Sequence, residues 1–234
     1  MNKQGNLYTI IYVIVLVVVV GTALAFTAMS LKGRQQANID ADKMRQILAA
    51  VHVAPEKAQV IPEFNALITG QFIVNEAGEK LPGRAFDINV AAQTKLPAAE
   101  RRLPVYVATL SDGSCKYILP VYGAGLWGPI WGYVAVDSDG HTIYGAYFDH
   151  QGETPGLGAE IAKPAFSDQF DGKTLVKDGK FLPVAVVKAG QKPLDDRDYV
   201  DGISGGTITS KGVGAMLDDC LSPYRNFLNS LSQN

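Results

Sequence analysis

The hydrophobic pattern changes character twice along the chain. Leu7 to Met29 (LYTIIYVIVLVVVVGTALAFTAM) contains no charged residue. As a helix, this run extends about 35 Å, enough to cross a hydrocarbon core of ~30 Å. A cleaved signal peptide has a shorter apolar stretch, about 7–15 residues, ended by a small-residue cleavage site. Here the run passes straight into SLKGRQQANIDADKMRQIL, so the pattern predicts a retained transmembrane helix with Tyr8 and Tyr12 near one interface. Farther on, Ile39 to Val51 sets Met44, Ile47, Leu48 and Val51 on one helical face, with Asp40 as its cap. Residues 52–104 mix short apolar runs with prolines, and FNALITGQFIVN within them reads as a helix end followed by a strand.

From Leu103 the texture becomes that of a sheet. VYVATL, a turn at SDGS and CKYILPVYG predict one hairpin, and WGYVAVDSDGHTIYGAYF predicts a second with its turn at Asp137–Gly140. That acidic turn lacks the third acidic position and the closing Glu of an EF-hand, so it reads as a hairpin turn. FLPVAVVK is a later strand. Lys211 to Leu231 form one or two helices, with Val213, Met216, Leu217 and Cys220 inward. The fold class is α+β: an antiparallel sheet with packed helices, preceded by one N-terminal transmembrane helix. The expected divisions are a short tail at 1–6, the transmembrane helix at 7–31, a mixed connecting region at 32–100 packing on the domain, and the main domain at 101–234.

Composition narrows the partners. With 47% hydrophobic and 19% charged residues, a packed core is possible. A net charge of −2 without a basic stripe excludes nucleic acid as the partner. Lys3 on one side of the apolar run faces Lys32, Arg34, Lys43 and Arg45 on the other. That count alone places the large domain in the cytoplasm, on few charges. Cys115 and Cys220 match no metal-ligand spacing and read as two half-buried thiols.

Three stretches bear on chemistry. GAGLWG fits G-x-G-x-x-G at Gly123, Gly125 and Gly128, with Asp149 downstream. A dinucleotide fingerprint must open a helix, whereas Pro129 and WGYVAV follow here, so the motif reads as a glycine-rich bend. HQGETPGLGAEI holds two turn signals between a strand and a short helix, and its small residues let backbone approach a flat ligand. His150 and Glu153 suggest acid–base work, but no nucleophile, second carboxylate or metal spacing accompanies them. DGISGGTITSK joins flexible glycines to the hydroxyls of Ser204 and Thr207. A helix starting near Thr209 or Ser210 would turn its unpaired N–H groups toward a phosphate. The stretch lacks Walker spacing.

The N-terminal anchor, GAGLWGPIWGYVAV, HQGETPGLGAEI and DGISGGTITSKGV, in this order, resemble the C subunit of the sodium-translocating NADH:quinone oxidoreductases. The FMN-binding domain is shared with the G subunit of the Rnf complex. In that family FMN is joined by a phosphoester to the last residue of D-x-x-[ST]-G-A-[ST]. Asp201, Ser204, Gly205 and Thr207 match, so the resemblance implies Thr207 as the acceptor, with Gly206 in place of the usual alanine and Thr209 as the rival.

The resemblance further implies that Glu153, Thr154, Leu157 and Gly158 line the flavin, with Trp127 as an apolar or stacking partner. It implies a flavin transferase using FAD and magnesium, other subunits of a membrane complex, and electron relay toward quinone. The location implied is the bacterial inner membrane, single-pass, with the soluble domain periplasmic, against the charge count. Two alternatives stand beside this reading: an FMN-carrying Rnf subunit with ferredoxin and NAD as redox partners, and a cofactor-free anchored assembly protein in which SGGT is only a helix cap.

Overall fold

The structure, a computed structural model of the chain, describes residues 5–232. Lys3 and most of the tail expected at 1–6 lie outside the described residues. The chain divides into two compact units, Met1–Lys43 and Met44–Asn234.

The first unit is helical. Helix α1, Asn6–Ala49, is continuous and contains an apolar window of mean hydropathy 2.8, none of it buried. By length and composition it can cross a membrane. Asp40 does not cap a separate helix, contrary to the expectation from sequence. It lies within α1 and accepts a hydrogen bond from Gln36 Nε2 at 2.8 Å, one turn back. No proline or glycine interrupts residues 34–49, so nothing in the backbone forces a new start there.

The second unit is built on a sheet. The elements after α1 are α2 (Val60–Leu67), β1 (Ile68–Val74), β2 (Lys80–Leu81), α3 (Val90–Gln93), β3 (Leu103–Thr109), β4 (Cys115–Ala124), β5 (Pro129–Asp137) and β6 (Ile143–His150). These strands form an antiparallel sheet of order β2-β1-β3-β4-β5-β6. Both predicted hairpins are present, as β3–β4 and β5–β6. Strand β1, from the stretch expected as a connecting region, is an internal strand paired with β3.

Both faces of the sheet are covered, which explains why its central strands read as nearly unbroken apolar runs. Val105, Leu119 and Val134 point to one core; their neighbours Tyr106, Ile118 and Ala135 point to the other. Ile47, Leu48 and Val51 from the end of α1 and the turn after it fill the second core, with Phe64 of α2.

The rest of the chain is α4 (Pro164–Ser167), β7 (Val176–Lys177), β8 (Lys180–Phe181), β9 (Ala185–Val187), β10 (Tyr199–Asp201), α5 (Thr207–Leu221) and α6 (Arg225–Leu231). The strand predicted at FLPVAVVK is divided into β8 and β9 around Pro183, which has no N–H to give a ladder. Strand β9 pairs in parallel with β10, apart from the main sheet. Helix α5 buries Val213, Met216, Leu217 and Cys220, the face expected from spacing, against the first core. Phe148, Phe166 and Phe170 pack edge-to-face or tilted at centroid separations of 5.1–5.6 Å, seating the segment after β6 on that core.

Candidate functional site

Helix α5 begins at Thr207, two residues before the start expected from sequence, with Gly206 at the N-cap and no side-chain cap. Its first intrahelical bond runs from Ser210 N–H to Gly206 O, 2.9 Å. The N–H groups of Thr207, Ile208 and Thr209 therefore precede any helical acceptor. Gly205 holds φ +75°, a conformation costly for other residues. Ser210, expected from sequence only as a possible helix start, braces the loop, its Oγ accepting from Ile203 N–H at 2.9 Å. Asp201 anchors it farther back: its N–H donates to Gln169 Oε1 at 2.9 Å and its Oδ1 accepts from Gly190 N–H.

The two threonines of this turn have opposite environments. Thr207 is exposed, as are Ser204 and Gly205. Thr209 is 1% exposed, and its hydroxyl donates to Glu153 Oε2 at 2.6 Å. Two positions apart on a helix, side chains point to nearly opposite sides, so one faces out when the other faces in. Of the two threonine hydroxyls, that of Thr207 is the one open to solvent.

The loop after β6 meets this turn. A Cβ built on Gly205 would lie 2.6 Å from Leu157 Cδ2, and one on Gly206 would lie 3.2 Å from Gly158 N. Thr154 and Leu157 are exposed and Gly158 is buried, at the start of a 3₁₀ turn, Gly158–Ala162. Trp127, 69% exposed, joins through its backbone N–H, which donates to Glu153 Oε1 at 2.8 Å. Leu126 and Ile208 add further exposed apolar surface.

Glu153 is buried at the junction of these segments. Burial opposes its charge, but the Thr209 hydroxyl, the backbone N–H groups of Trp127 and Leu126, and His150 outweigh it and hold the carboxyl below its ordinary value. His150 Nδ1 accepts from Glu153 N–H at 3.1 Å, so the acid–base pair suggested by sequence is a backbone contact. Both Glu153 oxygens take donors from the protein itself.

On the other side of Thr207 lies a cavity of about 330 Å³, lined by Val187, Lys188, Ile203, Ser204, Thr207 and Lys211 among others. An accessible hydroxyl, an uncapped helix start, an adjoining cavity and exposed apolar side chains fit an FMN: phosphate at the amides, ring on apolar surface. GAGLWG forms the bend between β4 and β5, closed by Gly125 N–H to Gly128 O at 2.8 Å, and opens no helix.

Comparison with known proteins agrees with this geometry. Residues 125–222, which contain both loops and the first turn of α5, match the FMN-binding domain family. The C subunit of the Na(+)-translocating NADH-quinone reductase from Yersinia pestis is 35% identical, over 91% of this chain and 87% of its own length. The Vibrio anguillarum C subunit is 33% identical, over 93% and 91%. The crystal structure of the C subunit from Parabacteroides distasonis superposes with a TM-score of 0.80 at 52% identity, covering 85% of this chain and 96% of that one. The chain belongs to the family of C subunits of the Na(+)-translocating NADH-quinone reductases.

Proposed function

We propose that this chain carries FMN joined to Thr207 through a phosphoester and relays electrons from NADH oxidation toward quinone in a sodium-pumping membrane complex. The observation that carries the acceptor assignment is the contrast between Thr207, exposed at the uncapped start of α5, and Thr209, buried on Glu153. Helix α1 anchors the protein, and its domain works on the periplasmic side among the other subunits. Its FMN-domain likeness and the names of its relatives support this reading.

In the attachment step, Thr207 Oγ1 attacks the FMN phosphorus of FAD. The bond from that phosphorus to the oxygen leading to AMP breaks, AMP leaves, and the hydroxyl proton is released. A threonine hydroxyl is a poor unaided nucleophile, so a flavin transferase with magnesium supplies the activation. Gly205, exposed beside Thr207, puts no side chain in the way of that enzyme.

When bound, FMN supplies the reversible gain and loss of electrons. The chain's own residues do the rest. The first N–H groups of α5 and the Ser204 hydroxyl would hold the phosphate, and Thr154, Leu157, Gly158 and Trp127 would bound the ring. A covalent tether keeps the carrier loaded through repeated transfers.

Co-expression with a flavin transferase, followed by fluorescence on a denaturing gel, tests this. The wild-type band fluoresces and the Thr207→Ala band is dark. A fluorescent Thr207→Ala band would sink the acceptor assignment, and a colourless wild type would restore the cofactor-free reading.

A further inference from the structure

The glycine-rich bend and the ETPGLG loop, unrelated in sequence, converge on one buried group. Glu153 is 4% exposed, with Oε1 bonded to Trp127 N–H and Oε2 to the Thr209 hydroxyl. A Cβ on Gly125 would lie 2.5 Å from Oε1. One on Gly158 would collide with Oε2 and lie 2.5 Å from Thr209 Oγ1. Both glycines are thus required by the space the carboxylate occupies. Three segments are tied through it: the β4–β5 bend, the loop after β6, and the first turn of α5.

The group is a charge as well as a tie. Among the described residues no lysine or arginine forms an ion pair with Glu153; its hydrogen-bond partners are N–H and O–H dipoles, and His150 is the titratable group beside it. An amide would keep its oxygen for Trp127 N–H and turn its NH2 to Thr209, whose hydroxyl can accept as well as donate, so the tie alone does not call for a carboxylate. What a carboxylate adds is a fixed negative charge in a site shielded from water, bonded to Thr209 in the same helical turn as Thr207. Because Glu153 itself is almost out of reach of water, its repulsion of electrons added to a nearby flavin is screened less than that of an exposed carboxylate.

We propose that Glu153 is a positioning residue whose fixed charge, held where three segments meet at the attachment loop, lowers the reduction potential of the flavin carried on Thr207. This rests on FMN attachment at Thr207. A carrier tuned this way passes electrons onward more readily than it retains them.

The test is a spectroelectrochemical titration of the full chain, co-expressed with a flavin transferase and solubilised in detergent. Flavin loading of the wild type is measured first, and a wild type without flavin refutes the functional reading itself. On the flavin-loaded fraction, Glu153→Gln is expected to shift the midpoint potential to more positive values. Thr209→Val, which keeps the charge but removes one of its donors, is expected to shift it the opposite way. A purely structural role moves both variants in the same direction or neither. If Glu153→Gln loads too poorly to titrate, the sign of the Thr209→Val shift decides alone. An unshifted potential in Glu153→Gln, or a positive shift in Thr209→Val, overturns the proposal.

Discussion

At the scale of single residues, the site is organised by which hydroxyls are spent and which are free. Thr209, the rival acceptor on sequence grounds, is bonded to a buried carboxylate, so Thr207→Ala leaves no substitute acceptor within the turn. The two cysteines differ in the same way. Burial pushes the Cys220 thiol up to about 11, and its sulfur donates to Tyr122 O at 3.3 Å. Cys115 stands half-buried at the start of β4, the strand that also holds Tyr122. Because the thiolate is the reactive form, Cys220 is expected to alkylate at least ~10-fold more slowly than Cys115 in the folded protein at pH 8. Peptide mapping after timed iodoacetamide labelling checks this, and equal rates would contradict the burial.

Gly206 is the one departure from the attachment motif. A Cβ there would stand 3.1 Å from Ile203 Cβ and 3.2 Å from Gly158 N, tighter than ordinary contact. The loop in this chain is closed against its neighbours by about the width of the missing methyl, while the acceptor hydroxyl next to it remains outside.

At the scale of elements, sequence pattern found what depends on local periodicity. Alternation and turn residues marked both hairpins, and helical spacing marked the buried face of α5 from Val213 to Cys220. It placed the start of α5 two residues late, because Ser and Thr are common caps and several were available. Gly206 took the cap position instead, and no side chain caps the helix. Membership of β1 in the sheet, and the use of Glu153 by three segments, are long-range facts with no local signature.

Glu153 also sets a pH dependence. Its carboxyl titrates below the ordinary value of 4.5 in the fold, so its ionised form favours folding. That contribution is complete above 4.5 and is lost as pH falls through the depressed folded value. Asp139 acts in the same direction: burial opposes its charge, but donors from Thr142 and His141 outweigh it. Asp171, raised by burial, acts in the opposite one. Glu153→Gln is therefore expected to flatten the acid limb of stability. Urea unfolding of both proteins between pH 3 and pH 6 reads the difference, and parallel limbs would contradict the assignment.

At the scale of the whole molecule, the apolar helix and the sheet unit do separate jobs. Residues 44–232 contain both hydrophobic cores and every residue of the candidate site. Removal of residues 1–43 is expected to release a soluble, cooperatively folding domain, while the full chain sediments with membranes. Fractionation and a thermal melt check this; aggregation of the shortened chain would show that the first unit is needed for folding. Fold class and the long apolar helix were legible in sequence, and so was the glycine-rich turn before α5, the last through a motif and not through periodicity. The opposite burial of Thr207 and Thr209 was not, because only the folded chain creates it; the motif alone had named Thr207 over Thr209.

The most direct test of the account is peptide mass spectrometry on the protein purified from its native membranes. One FMN, less one water, is expected on the peptide containing Thr207, with fragmentation placing it on that residue. An unmodified peptide, or the same increment on Ser204, Thr209 or Ser210, would contradict it.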